Sequence, residues 1–513
     1  MKKWLANVMS ISMLFAFAAC GSGNGGGSTG GGPLAEITVD SVQEGYVRYD
    51  VTQSNGRTTE GFGTQFDTCI IEPENVLTNA EWNIQVNALK AMNLQNVRIR
   101  FYPEMYERGN DNNNPSSFDY SSSNVNFNSL EMQGLYKLLD VFEANNVKVD
   151  LSWYGCRTTF VSQDGQINGS WLGGVYGQNG INSWMVAPSL TSNPNEEFAE
   201  SVAACLNYLV TDKQYTCIYE YSLFPEPEGV IRSMDDFKSI ADMVDSKLKG
   251  YGIRDKFLFS GPADYNNNAE VYDEKYLSKF DFDKATSSVY PFNASSSNEE
   301  MLAFAQSYVA VCDKYDISWG IAECGTSNFI DPVHNSDSDT YDRAHFMARF
   351  LVNMLNGGCT NIKYFVFSDC YYDGTLNELG LFKFRHEDWK AKPVWYSWSL
   401  LCRYTDFGSE IYPITDSYTG EADKDVAIVA LKLPDGSWTY IATNSGNASK
   451  KIALVNGRQD RAKTMQMYSI KGSSIPESGE LSIVQSSKTV PTEEGVAYFS
   501  VPANGIIVLS SKA

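Results

Sequence analysis

Residues 319–328, WGIAECGTSN, show a pattern that recurs along most of the chain. A short run of apolar, β-forming residues ends in a carboxylate, Glu323, and small and polar residues follow it. A charge buried at the end of an apolar strand is costly unless it has a partner or a use. The stretch therefore predicts a buried strand that ends at a functional site.

Eight such runs lie between residues 61 and 403, and amphipathic helical stretches separate them. This alternation is typical of parallel strands covered by helices, and eight strand–helix units close into a (β/α)8 TIM barrel. An open, doubly wound sheet is the alternative, but no glycine-rich phosphate loop follows the first run. The predicted strands are FGTQFDTCI (62–70), NVRIRFY (96–102), VKVDLSW (147–153), YTCIYEYSLF (215–224), KFLFSG (256–261), TSSVYPF (286–292), SWGIAE (318–323) and NIKYFVFSD (361–369).

Beyond the eighth helix the pattern changes to short runs bounded by turns, which is typical of antiparallel strands. VAIVALKL (426–433) and SWTYIATN (437–444) are joined by PDGS (434–437), a hairpin signal. We therefore expect residues 404–513 to form an antiparallel β-sandwich after the α/β barrel. Residues 34–60 are also strand-like, and we expect them to add strands to that sandwich.

The first 33 residues carry an export signal rather than part of the fold. Residues 1–19 combine two lysines, a short apolar core and small residues before Cys20, which defines a secretory signal peptide. FAAC (17–20) is similar to a bacterial lipobox, in which the cysteine becomes the lipidated first residue; an ordinary signal peptide with a chance cysteine is the alternative. We expect an exported protein, lipid-anchored to the bacterial outer membrane, with residues 20–33 as a flexible tether.

The composition limits the classes of function. A net charge of −22 disfavours nucleic acid and polyanionic ligands. With three histidines and no CxxC pair, metal-dependent hydrolysis and histidine triads are poorly supported. The acidic stretch SDSDTYD (336–342) lacks the glycine and terminal glutamate of a calcium loop, so it predicts a solvated loop. We expect a monomer with no metal and no cofactor.

Carboxylates at the strand ends indicate the chemistry, because TIM-barrel active sites lie at the C-terminal ends of the strands. Glu323 ends the seventh run, and Glu226 and Glu228 follow the fourth. Strands four and seven face each other across the barrel mouth. Retaining glycoside hydrolysis requires two carboxyl groups about 5–5.5 Å apart. The sequence therefore predicts a two-carboxylate site in which either Glu226 or Glu228 is the partner of Glu323.

The order of the motifs resembles the (β/α)8 retaining glycosidases of clan A, with families 5, 30 and 39 the most similar. EGFGTQFD (60–67) is similar to the family 30 opening. FPEP (224–227) stands where these enzymes have Asn-Glu-Pro, and AECG (322–325) stands where they have the nucleophilic glutamate. The resemblance covers most of residues 60–510. It implies an enzyme that hydrolyses O-glycosyl bonds of a poly- or oligosaccharide by double displacement, and the export signal leads us to expect this activity at the cell surface.

The resemblance also implies roles for individual residues. Glu323 corresponds to the nucleophile, and Glu226 corresponds to the acid/base because the Glu-Pro dipeptide matches there. Arg98 corresponds to an arginine near the nucleophile, and Arg100 shares its strand face; a positive partner keeps a nucleophile ionised. Tyr290 corresponds to a tyrosine that donates a hydrogen bond to the nucleophile. The candidate sugar-stacking rings are Trp153, Trp319 and Tyr371.

One departure from the family pattern leaves two other functions open. Pro225 stands where the family has an asparagine that holds the sugar 2-hydroxyl, and proline has no side-chain donor. The alternatives are an inactive barrel that binds glycans, and a structural surface protein whose barrel carries the sandwich. The long, glycine-rich segment 156–190 is suited to form a wall of the substrate cleft.

Overall fold

The computed structural model describes residues 39–66, 72–155, 159–161, 167–169, 193–227, 231, 233–265, 267–331, 333–372, 374–418, 423–456, 464–493 and 495–512. The predicted signal peptide, Cys20, the tether and Glu228 lie outside the described residues, as does most of segment 156–190. Within these ranges, none of the helices has both the length and the apolar character needed to cross a bilayer.

Eight parallel strands close into a barrel in which each strand pairs with its neighbours in chain order. The pairing of the eighth strand with both the seventh and the first closes the ring. The (β/α)8 prediction is therefore confirmed. The strands are β1 (Phe62–Gln65), β2 (Asn96–Phe101), β3 (Lys148–Trp153), β4 (Ile218–Leu223), β5 (Leu258–Asp264), β6 (Lys284–Val289), β7 (Ser318–Cys324) and β8 (Asn361–Tyr364).

A helix follows each barrel strand, and side-chain caps fix several of the helix starts. At the first helix, Thr78 and Glu81 form a reciprocal capping box, which satisfies two otherwise unpaired backbone N–H groups. The helices are α1 (Asn79–Met92), α2 (Leu130–Ala144), α3 (Pro194–Asn207), α4 (Met234–Tyr251), α5 (Ala269–Tyr272), α6 (Asn298–Asp313), α7 (Tyr341–Asn356) and α8 (Pro393–Arg403).

The loops at the C-terminal ends of the strands carry small hairpins. Thr159–Val161 pairs with Ile167–Gly169 after β3, Phe329–Asp331 pairs with His334–Asn335 after β7, and Cys370–Tyr372 pairs with Thr375–Asn377 after β8. Short 3-10 or π segments occupy Pro73–Asn75, Pro103–Met105, Tyr208–Asp212, Arg254–Lys256, Asp273–Leu277, Arg385–Glu387 and Gly472–Ser474.

The remaining strands form one nine-stranded sheet whose two halves share an apolar core, as in a sandwich. The predicted antiparallel domain is confirmed, with Val47–Asp50 pairing in parallel at one edge. The other eight strands are β9 (Glu410–Ile414), β10 (Val426–Lys432), β11 (Trp438–Asn444), β12 (Lys450–Val455), β13 (Thr464–Ile470), β14 (Lys488–Glu493), β15 (Val496–Val501) and β16 (Gly505–Ser510). The sheet order after Val47–Asp50 is β12, β15, β14, β13, β16, β11, β10 and β9.

The sheet packs firmly against the barrel. Val429 of β10 and Val508 of β16 belong to the same apolar core as the barrel strands and helices α7 and α8. Asn356, near the end of α7, donates to the carbonyl of Ile428 over 2.9 Å. The two parts therefore share buried surface, which stabilises the side of the barrel formed by its last helices.

Candidate active site

Glu323 lies at the barrel mouth because of an irregularity in β7. The pairing of β7 with β6 shifts register between Ile321 and Glu323, so that two residues of β7 stand opposite one residue of β6. Earlier in β7, Trp319 packs against Tyr308 of α6 with ring centroids 5.1 Å apart, so Trp319 faces the helices. Regular alternation would put Glu323 on that same side. The bulge turns Glu323 into the barrel instead, as bulges beside active sites often do.

Three donors converge on the carboxylate of Glu323. Nη1 of Arg98 and the hydroxyl of Tyr154 each lie 2.5 Å from Oε1, and the hydroxyl of Tyr290 donates to Oε2 over 3.2 Å. A carboxylate that accepts from an arginine and two hydroxyls is held in a fixed orientation. Arg98 and Tyr290 thus lie beside Glu323, as the sequence predicts.

Arg98 is fixed in turn by the barrel interior, where it has no exposed surface. Its Nε donates to Oγ of Ser152 over 3.2 Å and lies 3.9 Å from a carboxylate oxygen of Asp150. Burial by itself would lower the pKa of Arg98, but the hydroxyl of Tyr154 and the carboxylates of Glu323 and Asp150 outweigh burial and raise that pKa. The guanidinium therefore remains charged beside Glu323.

Arg100, two residues further along β2, packs between two aromatic rings. Its guanidinium carbon is 4.1 Å from the ring centroid of Tyr154 and 4.6 Å from that of Tyr372. A guanidinium over an aromatic face is a favourable cation–π arrangement. Arg100 therefore supports the ring whose hydroxyl binds Glu323.

Glu226 follows β4 in a strained turn. Phe224 and Glu226 have φ angles of 48° and 55°, in the left-handed region that side chains other than glycine rarely adopt. Pro225 lies between them. Each such residue costs about 1–3 kcal/mol, and this kind of strain is concentrated at functional sites. Glu226 is partly buried at the end of this turn.

The protonation of Glu226 depends on its surroundings. Burial and, next, the charge of Glu323 raise the pKa of Glu226 to about 8, although Arg98 and Arg100 act in the opposite direction. Glu226 is therefore mainly protonated at neutral pH, while Glu323 faces an arginine and two hydroxyl donors. A proton-bearing carboxyl near a carboxylate that only accepts hydrogen bonds is the arrangement that a general acid and a nucleophile require.

Below Arg98, alternating charges continue through the barrel. Lys363 of β8 lies 3.3 Å from Asp150 and 3.6 Å from Glu220, and Lys284 lies 2.8 Å from Glu220 and 2.6 Å from Glu60. Burial alone would raise the pKa of Glu220, but Lys284 and Lys363 lower it to about 2. We call this set the interior ion ladder; its members are Arg98, Asp150, Lys363, Glu220, Lys284 and Glu60.

Two of the predicted sugar-stacking rings are in the wrong place for that role. Trp153 and Trp319 have no exposed surface. Trp153 packs edge-on against Phe101 with centroids 5.2 Å apart, and Trp319 donates from Nε1 to Oγ of Ser287 over 3.1 Å. Both are core residues outside the barrel wall, because they lie on the strand faces that meet the helices. Neither ring is available to a sugar.

The third predicted ring, Tyr371, is partly exposed in the hairpin after β8. It packs against Phe384 with centroids 5.4 Å apart, and its backbone bonds with the side chain of Asn75. The adjacent Tyr372 is buried against Arg100, and its hydroxyl accepts from Nε2 of Gln65 over 3.5 Å. The role of Tyr371 as a sugar-stacking ring therefore stays a prediction.

Sequence reasoning missed Tyr154 and the exposed rings around Tyr290. Strand alternation offered a signal for Tyr154, since Ser152, two residues earlier, already faces Arg98. Tyr265 and Phe329 are 49% and 43% exposed. Their ring centroids lie 6.1 and 5.8 Å from that of Tyr290. Among the described residues, these two rings, in loops after β5 and β7, are exposed apolar platforms beside Tyr290.

No protein-family model matches the sequence, and no curated protein matches it either. Solved structures do match its fold. A family 30 endoxylanase from Clostridium papyrosolvens is 13% identical with a TM-score of 0.60, covering 91% of this chain and 100% of its own. A family 39 enzyme from Xanthomonas axonopodis pv. citri is 12% identical with a TM-score of 0.57, covering 91% and 96%. A conserved exported protein from Bacteroides fragilis is 10% identical with a TM-score of 0.63, covering 91% and 100%.

These similarities define the class of fold. Families 30 and 39, which the motif order indicates, are both represented among the similar structures. The chain therefore shares the fold of these clan A enzymes, and the predicted resemblance is confirmed at the level of the fold. Since one fold supports many activities, the reaction must be argued from Glu226, Glu323 and their neighbours.

Proposed function

We propose that this protein is a retaining glycoside hydrolase that acts on a poly- or oligosaccharide, with Glu323 as the nucleophile and Glu226 as the acid/base. The observation that carries the proposal is the contrast between the two carboxyls. Glu323 accepts hydrogen bonds from Arg98, Tyr154 and Tyr290, whereas the pKa of Glu226 is raised to about 8 by burial and by the charge of Glu323. One group is thus prepared to attack and the other to give a proton.

In the first step, a carboxylate oxygen of Glu323 forms a bond to the anomeric carbon while the bond from that carbon to the leaving oxygen breaks. Glu226 gives its proton to the leaving oxygen. Oε1 is held by two donors at 2.5 Å, while Oε2 accepts one hydrogen bond of 3.2 Å. We therefore assign the attack to Oε2, the less tightly held oxygen.

In the second step, Glu226 takes a proton from water as the water oxygen attacks the anomeric carbon and the bond to Glu323 breaks. Formation of the glycosyl ester removes the charge of Glu323, which is one cause of the raised pKa of Glu226. The pKa of Glu226 therefore falls in the intermediate, and the same group becomes a base. Arg98 then stabilises the carboxylate that departs.

The substrate is expected to be neutral and to bind on apolar rings. Tyr265 and Phe329 offer exposed faces next to Tyr290. With Pro225 in place of an asparagine, the turn after β4 has no amide side chain before Glu226 for the sugar 2-hydroxyl. That hydroxyl must be bound by another residue or be differently substituted in the substrate.

A panel of aryl glycosides and defined oligosaccharides tests the proposal. At least one member should be cleaved, and Glu323→Gln should lower kcat by about 10⁴-fold or more. Glu226→Gln should also abolish turnover of oligosaccharides with poor leaving groups, whereas Glu228→Gln should not; the reverse result would transfer the acid/base role to Glu228. If no member is cleaved and the wild type and Glu323→Gln bind glycan equally well, the inactive glycan-binding barrel replaces this proposal.

We further propose that the enzyme acts at the bacterial surface as a lipoprotein anchored through Cys20. The support is the N-terminal pattern: a signal peptide, FAAC at 17–20 and a Gly/Ser tether. Mass spectrometry of the mature N-terminus should find a lipidated Cys20, and Cys20→Ser should release the protein from the membrane fraction. An unmodified N-terminus elsewhere would contradict the anchor.

A further inference from the structure

Three carboxylates that take no part in the site around Glu323 converge between the β2–α2 loop and α3. They belong to Asp111 in the loop and to Glu197 and Glu200 in α3, and one oxygen of each lies within 4.8 Å of the others. Glu197 and Glu200 are three residues apart, so they share one face of the helix. The cluster thus joins a chain segment that precedes β3 to one that follows β3.

The two glutamates are buried without adequate hydrogen bonds. Glu197 is 1% exposed and Glu200 3%. Among the described residues, no donor lies at hydrogen-bonding geometry to either carboxylate oxygen of Glu197 or to Oε1 of Glu200. Burial raises the pKa of Glu197, and the nearby amide of Asn110 opposes that shift without reaching hydrogen-bonding geometry. Buried carboxylates in proteins are normally paired or bound to a metal.

The charge balance of the cluster is also unfavourable. The buried Glu107 is a fourth carboxyl group; burial first, and then the charges of Asp111 and Glu200, raise its pKa. Lys247 lies near enough to act on Glu200, but its Nζ donates to the carbonyl of Pro115. Four carboxyl groups thus lie near one lysine, and a cation among them would balance their charge.

We propose that Asp111, Glu197 and Glu200 bind a divalent cation, with Ca²⁺ preferred. All three ligands are oxygens, which suit a hard cation rather than zinc or copper. A cage of several protein carboxylates suits Ca²⁺ better than Mg²⁺, which retains most of its water. Asp111 is partly exposed and provides the entry. The bound ion fastens the β2–α2 loop to the start of α3, and this site is separate from the acidic stretch 336–342.

The binding test uses the full chain after treatment with a chelator and dialysis. Titration with CaCl2 in a calorimeter should show one Ca²⁺ per chain. At a Ca²⁺ concentration of about 100 times Kd, Tm should rise by about 3–5 °C, and MgCl2 should give a smaller rise. If Ca²⁺ neither binds nor shifts Tm, the carboxyls share protons instead and the proposal is overturned.

Two isosteric substitutions on the same helix turn make the test specific. Glu197→Gln should lose at least nine-tenths of the Ca²⁺-dependent rise in Tm, whereas Glu196→Gln, at an exposed position with the same change of charge, should keep it. In chelator, Glu197→Gln should unfold at the same temperature as wild type or higher, because one buried charge is gone. If Glu197→Gln does not fold, Glu200→Gln replaces it in the same measurement. Equal Ca²⁺ responses in wild type and the folded glutamine variants would overturn the assignment.

Discussion

Arg98 and Glu323 form an ion pair across the barrel, from β2 to β7, with Nη1 2.5 Å from Oε1. Arg98 is also the upper end of the interior ion ladder, so the orientation of Glu323 is linked to charges that continue down to Glu60. Glu323 is thus positioned by the strands rather than by the loops. Groups supported by rigid elements are held more accurately than groups on loops.

Removal of the Tyr290 hydroxyl should slow catalysis without unfolding the protein. Tyr290→Phe deletes the hydrogen bond to Oε2 of Glu323. A hydrogen bond to a charged group contributes about 1.5–3 kcal/mol, so kcat/KM should fall about 10- to 150-fold. The matched control is Tyr265→Phe, which removes a hydroxyl from the neighbouring exposed ring. Similar rates for both variants would argue against a role of Tyr290 at the nucleophile.

The raised pKa of Glu226 predicts a loss of activity in mild alkali. The first step needs the protonated form, and the pKa of about 8 means that this form is present below pH 8 and lost above it. We expect kcat/KM to be reduced at about pH 8 and above. Glu226→Gln, assayed on an activated aryl glycoside that needs no acid, should lack this alkaline limb. If wild type and this variant share the same limb, another group titrates there.

The raised pKa of Glu226 also makes the stability of the folded protein depend on pH. Because the folded protein holds the Glu226 proton up to about pH 8 and the unfolded chain releases it near the ordinary glutamate pKa of 4.5, the contribution of this group favours folding at low pH. That contribution is lost as pH rises from about 4.5 to 8. Urea unfolding of wild type and Glu226→Gln should therefore show a difference in unfolding free energy that changes over this range. A constant difference would contradict the raised pKa.

The interior ion ladder should be sensitive to loss of one member. Lys363→Met leaves Asp150 and Glu220 with one fewer cation in a site without exposed surface, which costs about 3–5 kcal/mol of unfolding free energy. Lys383→Met removes a partly exposed lysine that pairs with Asp339 and Glu387, and should cost no more than about 1 kcal/mol. Urea unfolding measures both values. Equal costs would mean that the ladder contributes no more than a surface pair.

The exposed ring of Phe329 should bind substrate. Phe329→Ala should raise KM about 5- to 10-fold with little change in kcat, because a partly exposed phenyl ring that a sugar covers contributes about 1–1.5 kcal/mol. Trp319→Phe should lower Tm and leave KM unchanged, since that ring is in the core. The opposite pattern would restore Trp319 as a substrate residue and remove Phe329.

The barrel could be predicted from sequence because buried parallel strands appear as apolar runs between amphipathic helices. The same pattern predicts that Glu323 stands at the end of a strand. The pattern does not reveal the bulge between Ile321 and Glu323. Strict alternation of side chains would place Trp319 and Glu323 on the same face of β7. In the structure, Trp319 faces the helices and Glu323 faces the barrel interior.

The remaining errors have similar physical causes. The sequence does not show whether a large aromatic residue at a strand end faces the helices or a cleft. Trp153 therefore could not be distinguished from a ring that binds sugar. The cluster of Asp111, Glu197 and Glu200 joins residues far apart in the chain, and its ligands have no recognisable spacing.

Trapping the covalent intermediate tests the central claim most directly. The purified protein is incubated with the 2-deoxy-2-fluoro analogue, carrying an activated leaving group, of a glycoside that it cleaves, and is then digested and examined by mass spectrometry. We predict one sugar per chain, attached to Glu323 in the peptide that contains WGIAECG (319–325). A label on Glu226 or elsewhere, or inversion of the anomeric configuration in the product, would contradict this account.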